Sequence, residues 1–303
     1  MVKKGFFIGV VVLVSAVFLN IGFYFVYPDV SKLKKSSLKK TAFMEYREQE
    51  WEKRGKKKKI IRQWVPLSQI SPYVIKAVII AEDDKFWSHE GFDFGAIQKA
   101  IEKDIKKRKF KFGGSTISQQ LAKNLYLSPS KNPVRKIKEA IITWRMENHL
   151  SKKRIIELYL NVAEWGEGVF GIEAAARHYY GKPASALTAK EAARLASVLP
   201  NPRKFDPTGE SKFVEGRSDR IYQIMVRRGI VIPEYEEVMS EPAQTEGAEQ
   251  EMPEKTPEPP SQGGNDRSSA QIDNGKPDGS LSDKRSSSEQ EGFGKAVQDE
   301  PQR

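Results

Sequence analysis

Glu82 ends an apolar stripe, and that placement gives a common residue type a specific chemistry. Ile75, Val78 and Ile79 precede it at i, i+3 and i+4, and Glu82 takes i+7 of the same helical face. A carboxylate among apolar neighbours is poorly solvated, so its pKa rises and it suits a general base near neutral pH. The competing reading is an exposed glutamate at a helix C-terminus, where the helix dipole disfavours it. A second carboxylate, Glu139, closes the run Arg135-Lys136-Ile137-Lys138-Glu139, with Lys131 one turn upstream. Arg135, Lys138 and Glu139 fall at i, i+3 and i+4; by pattern alone this is a solvated face with an Arg135–Glu139 pair contributing about 0.3–0.5 kcal/mol. Between the glutamates, Gly113-Gly114-Ser115-Thr116 leads into a helix, and Thr116 with Gln119 fits a capping box. Backbone N–H groups at such a helix start can bind an anion. Lys123 lies two turns on, on the face of Thr116, Gln119 and Gln120.

These residues sit inside longer polar sentences. Glu82-Asp83-Asp84-Lys85-Phe86-Trp87-Ser88-His89-Glu90-Gly91-Phe92-Asp93 is the first, and Gly113 through Gln120 to Lys123 and Asn124 is the second. The run to Glu139 is the third, Ser151 through Glu157 and Tyr159 to Asn161 the fourth, and Gly166 through Gly181-Lys182 the fifth. In this order, over residues 60–235, they resemble the successive motifs of peptidoglycan glycosyltransferases (glycosyltransferase family 51), the membrane enzymes that polymerise lipid II. The resemblance implies a lysozyme-like fold. It makes Glu82 the base that deprotonates the acceptor 4-hydroxyl, and Glu139 the second functional glutamate. It assigns Ser115, Thr116, Gln119, Gln120, Lys123 and Asn124 to sugar and pyrophosphate contacts, and Lys131, Arg135 and Lys138 to phosphate handling. Lys131 departs from an arginine common there in some relatives; it keeps the charge and loses the bidentate fork. Asp83, Phe86, His89, Gly91 and Asp93 are expected to brace the loop that places Glu82. Glu157, Tyr159 and Asn161 are expected to pack and position helices, and Gly166, Gly168 and Gly171 to permit tight turns.

A polyprenyl pyrophosphate leaves as a weak base, so it needs cations or a metal rather than a carboxylic acid. A magnesium or manganese ion at the pyrophosphate is compatible with this scheme without being required by it. The chain has three histidines, His89, His149 and His178, with no His-x-x-x-His pair and no cysteine, so a zinc site is not expected. An enzyme that cleaves glycan must protonate a sugar alkoxide and does not call for a basic cleft. That lytic transglycosylase or muramidase reading, and a catalytically silent cell-wall scaffold, are the rivals.

The elements that must position these groups read as helices. Ser71-Pro72 and Asn132-Pro133 are cap-and-proline starts, the latter for a helix to about Leu150. Ser151 can cap the next, with Ile155, Ile156, Tyr159 and Leu160 inward, and Thr188 to Leu199 is a short amphipathic helix stopped by Pro200 and Pro202. Strand-like alternation is scarce, so the domain is mainly α.

Residues 5–27 are uncharged and rich in Phe and Val. About 20 such residues span a bilayer, and this run exceeds a signal-peptide core and leads into bulky aromatics, so it reads as an uncleaved anchor after a cytoplasmic 1–4. Lysines flank both ends and counting them favours a cytoplasmic C-terminal side, whereas the resemblance implies an outward-facing domain on the inner membrane. The net charge of +11 divides unevenly: residues 241–303 carry 14 acidic and 7 basic groups, which leaves +18 for the first 240. The basic part needs an anionic partner, phospholipid or pyrophosphate, and a membrane anchor argues against nucleic acid. Residues 28–64 read as a basic juxtamembrane connector, 65–238 as the catalytic domain and 239–303 as a disordered acidic tail. The basic run 103–112 reads as a flap near the membrane. Lys-Thr-Gly is absent, so no transpeptidase domain is expected. Lipid II, the growing glycan strand and other cell-wall synthesis proteins are the partners that the resemblance implies.

Overall fold

The computed structural model describes residues 2–36, 39–107, 114–130 and 132–232. The expected tail, the second half of the expected flap, Gly113 and Lys131 lie outside the described residues. The described part is mainly helical, as expected. Helix α1 (Val2–Gly22) is the apolar N-terminal run; an 18-residue window within Lys4–Lys34 has a mean hydropathy of 2.5, and none of it is buried in the domain. Its 21 residues extend about 30 Å at 1.5 Å per residue, the thickness of a bilayer core. The α-helix ends at Gly22 and one 3-10 turn, Phe23–Phe25, completes the expected span. One such helix fits a single-pass anchor.

Residues 28–64 are not a mere connector. Val30 and Leu33 are each 1% exposed, and helix α2 (Ala42–Lys53) buries Met44 and Trp51 to the same degree. Thr41 caps α2 by accepting from Met44 N at 3.2 Å. The charged composition concealed this because burial needs only a few apolar groups at the right spacing: Met44 and Trp51 lie two turns apart on one face. Arg47 of α2 stacks over Phe43 and forks onto buried Glu164, with Nη2 to Oε2 at 2.8 Å.

Helix α3 (Pro72–Glu82) buries Val74, Ala77, Val78 and Ile79 against α9 (Ala189–Val198) and α10 (Lys212–Arg227). Ser71 precedes Pro72 as expected, but its hydroxyl donates to Leu187 O at 2.8 Å instead of capping the helix. Helix α4 (Phe94–Lys107) follows the Glu82 loop. Then come α5 (Ile117–Tyr126), α6 (Pro133–His149) and α7 (Lys152–Val162), with α5 packed on both others. Asn132 and Ser151 cap α6 and α7 as their sequence predicts. Helix α8 is Ile172–Tyr180. The alanine-rich α9 starts on a Thr188–Glu191 capping box, and its buried Ala192, Ala193 and Ala196 allow close packing at the centre of the core.

A small sheet pairs β1 (Ile61–Arg62) parallel to β3 (Val169–Phe170) and β2 (Glu164–Gly166) antiparallel to it. Strands of two or three residues carry no readable alternation, which is why the sequence shows no sign of them. Gly171 turns the chain out of β3 at φ +84°, and a Cβ there would stand 2.8 Å from Asn161 O.

Candidate active site

Glu82 is the last residue of α3, where the apolar face stops. Its Oε2 accepts from Gln120 Nε2 at 2.9 Å, and its Oε1 accepts from Arg217 Nη2 at 3.2 Å. Burial pushes its carboxyl up from the ordinary range, and it outweighs the opposing pull of Gln120, Arg217 and Lys123. The exposed-glutamate reading therefore fails. Gln120 is itself held: buried Tyr159 donates its hydroxyl to Gln120 Oε1 at 3.1 Å. That bond fixes the amide so that its NH₂ faces Glu82. Four helices, α3, α5, α7 and α10, thus converge on one carboxylate.

The loop after Glu82 is braced from within. Asp83, 7% exposed, accepts from His89 Nε2 at 2.9 Å and from Ile117 N at 2.9 Å, where α5 begins. Gly91 N donates to His89 Nδ1 at 3.0 Å, which assigns the ring proton to Nε2. Phe86 is fully buried below, and Asp93 caps α4 by accepting from Ala96 N at 2.9 Å. Gly91 sits at φ +87°, and a Cβ there would come within 2.9 Å of Thr143 and Glu147 on α6. Its carbonyl accepts from Thr116 Oγ1 at 2.7 Å.

Thr116 and Gln119 form the capping box in both directions, and both are buried. Their polar groups are spent on the start of α5. Ser115 is half-buried and accepts from Lys136 Nζ at 3.0 Å. Asn124 is buried on α5 one residue beyond Lys123. A cavity of about 240 Å³ runs from Glu82 and Asp84 to Gly114 and Ser115.

Across α5, Glu139 is 2% exposed and paired with both Arg135 and Lys136. Arg135 Nε also donates to Ser130 O at 2.5 Å. Lys123 forms no ion pair within the described residues, and it feels both Glu82 and Glu139. Burial pushes its ammonium down from the ordinary lysine value, with Arg135 and Lys136 acting in the same direction. Lys138 does not join them. Its Nζ lies 4.7 Å from the ring centre of Tyr24, at the end of the anchor.

Lys136 and Arg217 were not singled out by the sequence reading. Lys136 was legible, since it precedes Glu139 by three residues, as good a helical spacing as the four of Arg135. Arg217 had one weak signal: it is a cation beside the stripe of Val214, Ser218, Ile221 and Met225 that α10 buries. In the fourth motif, Asn161 is fully buried and holds Val65 through its N–H at 3.0 Å and its carbonyl at 2.9 Å. Glu157 pairs with Arg154 and accepts from Leu67 N at 3.3 Å. Gly168 turns at φ +85° beneath Trp51, whereas Gly166 leaves room for the Tyr179 hydroxyl.

A family model described as Transglycosylase matches residues 48–226, which takes in the whole of this site. The chain belongs to the transglycosylase family. The matched stretch begins inside α2, in keeping with a domain that starts earlier than residue 65. Three relatives bear the name biosynthetic peptidoglycan transglycosylase. The protein of Nitrosospira multiformis is 50% identical over 190 residues, covering 63% of this chain and 83% of the relative. That of Dechloromonas aromatica is 57% identical over 166 residues, 55% of this chain and 72% of the relative. That of Methylobacillus flagellatus is 59% identical over 150 residues, 50% of this chain and 66% of the relative. This transglycosylase is therefore a glycosyl-transferring enzyme with a lysozyme-like domain, and an apolar N-terminal helix fits its anchoring in a membrane.

Proposed function

We propose that the chain polymerises lipid II into the glycan strands of peptidoglycan, with inversion at the anomeric carbon. Glu82 takes the proton from the acceptor 4-hydroxyl as that oxygen attacks the anomeric carbon of the growing strand. The bond to the polyprenyl pyrophosphate breaks, and its electron pair leaves with the phosphate oxygen. Lys123, Arg135 and Lys136 carry the developing charge, and Glu139 holds the latter two in place. Preorganised charges of this kind act without reorganising during the reaction.

The observation that supports this reading is the pairing of a largely desolvated carboxylate, its pKa raised by burial, with a separate cationic cluster. A raised carboxyl alone would also suit a glycan-cleaving acid. Three cations on α5 and α6 have no task in that reaction. Glu139 is engaged by Arg135 and Lys136, so a divalent cation at the pyrophosphate would be held by other groups. The enzyme works as a single-pass protein with its catalytic domain on the outer face of the cytoplasmic membrane, against phospholipid and alongside other cell-wall synthesis proteins. Incubating the detergent-solubilised protein with lipid II, and separately with finished peptidoglycan, tests the proposal. Strand formation from lipid II is expected. Release of fragments from finished peptidoglycan would favour the lytic reading, and no turnover of either would favour a scaffold.

A further inference from the structure

Helix α6 serves two sites from two of its faces. One face carries Arg135, Lys136 and Glu139. Another meets the end of the anchor, where Arg145 Nη1 donates to Tyr24 O at 3.0 Å and Nη2 donates to Val26 O at 2.9 Å. Lys138, two turns before Arg145, covers the Tyr24 ring. The carbonyls at the end of a helix lack partners further along the chain and attract positive charge. A guanidinium is suited to two of them because its N–H groups form a rigid planar fork. Arg145 is only 9% exposed, so these bonds are what make its burial tolerable. Arg154 of α7 repeats the device lower in the segment, with Nε to Leu33 O at 2.7 Å and Nη2 to Ser36 O at 3.0 Å. Two arginines thus strap the chain between Tyr24 and Ser36 onto the helices of the site.

Lys138, next to Glu139, and Arg145, two turns further on, meet the same anchor residue, Tyr24, so the end of the anchor lies alongside the turn of α6 that carries the cluster. We propose that Arg145 is a positioning residue: it fixes the α6 cation cluster at the depth where a membrane-embedded polyprenyl substrate presents its pyrophosphate. The anchor is then part of the substrate-binding geometry and not a loose tether. This inference rests on the proposed function, because it takes the leaving group to be a lipid-linked pyrophosphate.

The test uses the full chain reconstituted in liposomes, with two substrates: lipid II carrying a long, bilayer-embedded polyprenyl chain, and a short-chain, water-soluble analogue. Arg145→Ala is expected to lose roughly ten- to a hundredfold on the embedded substrate, the scale of a misplacement of about 1 Å. On the soluble analogue it should stay within about twofold of wild type. Arg145→Gln, which can still donate to one carbonyl, should fall between. Equal losses on both substrates by a variant that keeps its melting temperature would overturn the proposal, as would wild-type rates on both. If Arg145→Ala does not fold, the ratio of the two rates for Arg145→Gln decides by the same rule. A wild-type enzyme inactive on both substrates would instead overturn the lipid II reading beneath it.

Discussion

Arg217 Nη2 stands 3.2 Å from Glu82 Oε1, so a guanidinium 135 residues further along the chain shares a hydrogen bond with the proposed base. The same nitrogen donates to Ala81 O at 3.0 Å, which ties α10 to the end of α3. Arg217 pulls the Glu82 pKa down while burial pushes it up, and burial prevails.

Glu82→Gln should abolish strand formation and leave lipid II binding largely intact. Glutamine keeps the shape but accepts no proton. Loss of a general base costs at least about 10²-fold, so a purified variant with more than about a tenth of the wild-type rate would refute the assignment.

The pH dependence has a definite sign. The base must be deprotonated, so kcat/KM should rise with pH along an acid limb above the usual carboxylate range. Removing the Arg217 charge, as in Arg217→Met, should move that limb to still higher pH. Stability runs the other way. A carboxyl whose folded pKa is raised is bound more tightly by its proton in the native state, so its support is complete below the unfolded pKa and is lost as pH rises through the folded one. The melting temperature of Glu82→Gln should therefore gain on wild type as pH increases through that window, and melting curves across pH would reveal it.

Lys123→Ala, Arg135→Ala and Lys136→Ala should each lower turnover by about 10²–10³, the cost of one preorganised charge contact. Lys136→Ala should cost more than Lys138→Ala in detergent, because Lys136 reaches Glu139 and Ser115 whereas Lys138 reaches Tyr24. Initial rates for the four variants give the order, and the reverse order would return Lys138 to the cluster.

Gly91→Ala should destabilise the fold by about 1–3 kcal/mol. It combines positive φ with a Cβ pressed against Thr143 and Glu147. A clear drop in melting temperature is expected, and an unchanged one would mean that α6 gives way at little cost.

A chain ending at Ser240 should keep its melting temperature and its rate on lipid II, since the acidic residues beyond it hold few large apolar groups. A large fall in either would show that this segment docks on the basic domain.

What the sequence disclosed depended on whether a signal was local. The Thr116–Gln119 capping box, the proline starts at Ser71 and Asn132 and the apolar approach to Glu82 involve residues within two turns, and all are present. The folded role of residues 28–64 was hidden, because the partners of Trp51 and Arg47 lie more than a hundred residues away. Arg217 was hidden for the same reason. Lys138 shows a further limit: spacing names a face of α6, and only the packed anchor tells which side of that face is occupied.

The chain from Tyr159 through Gln120 to Glu82, completed by Arg217, joins α7, α5, α3 and α10. Their effects on Glu82 oppose one another: Gln120 and Arg217 lower its pKa, whereas burial raises it. The strength of the base is therefore set by how closely four separate helices pack, and an element that loosened from the rest would retune it without altering any residue of the first motif.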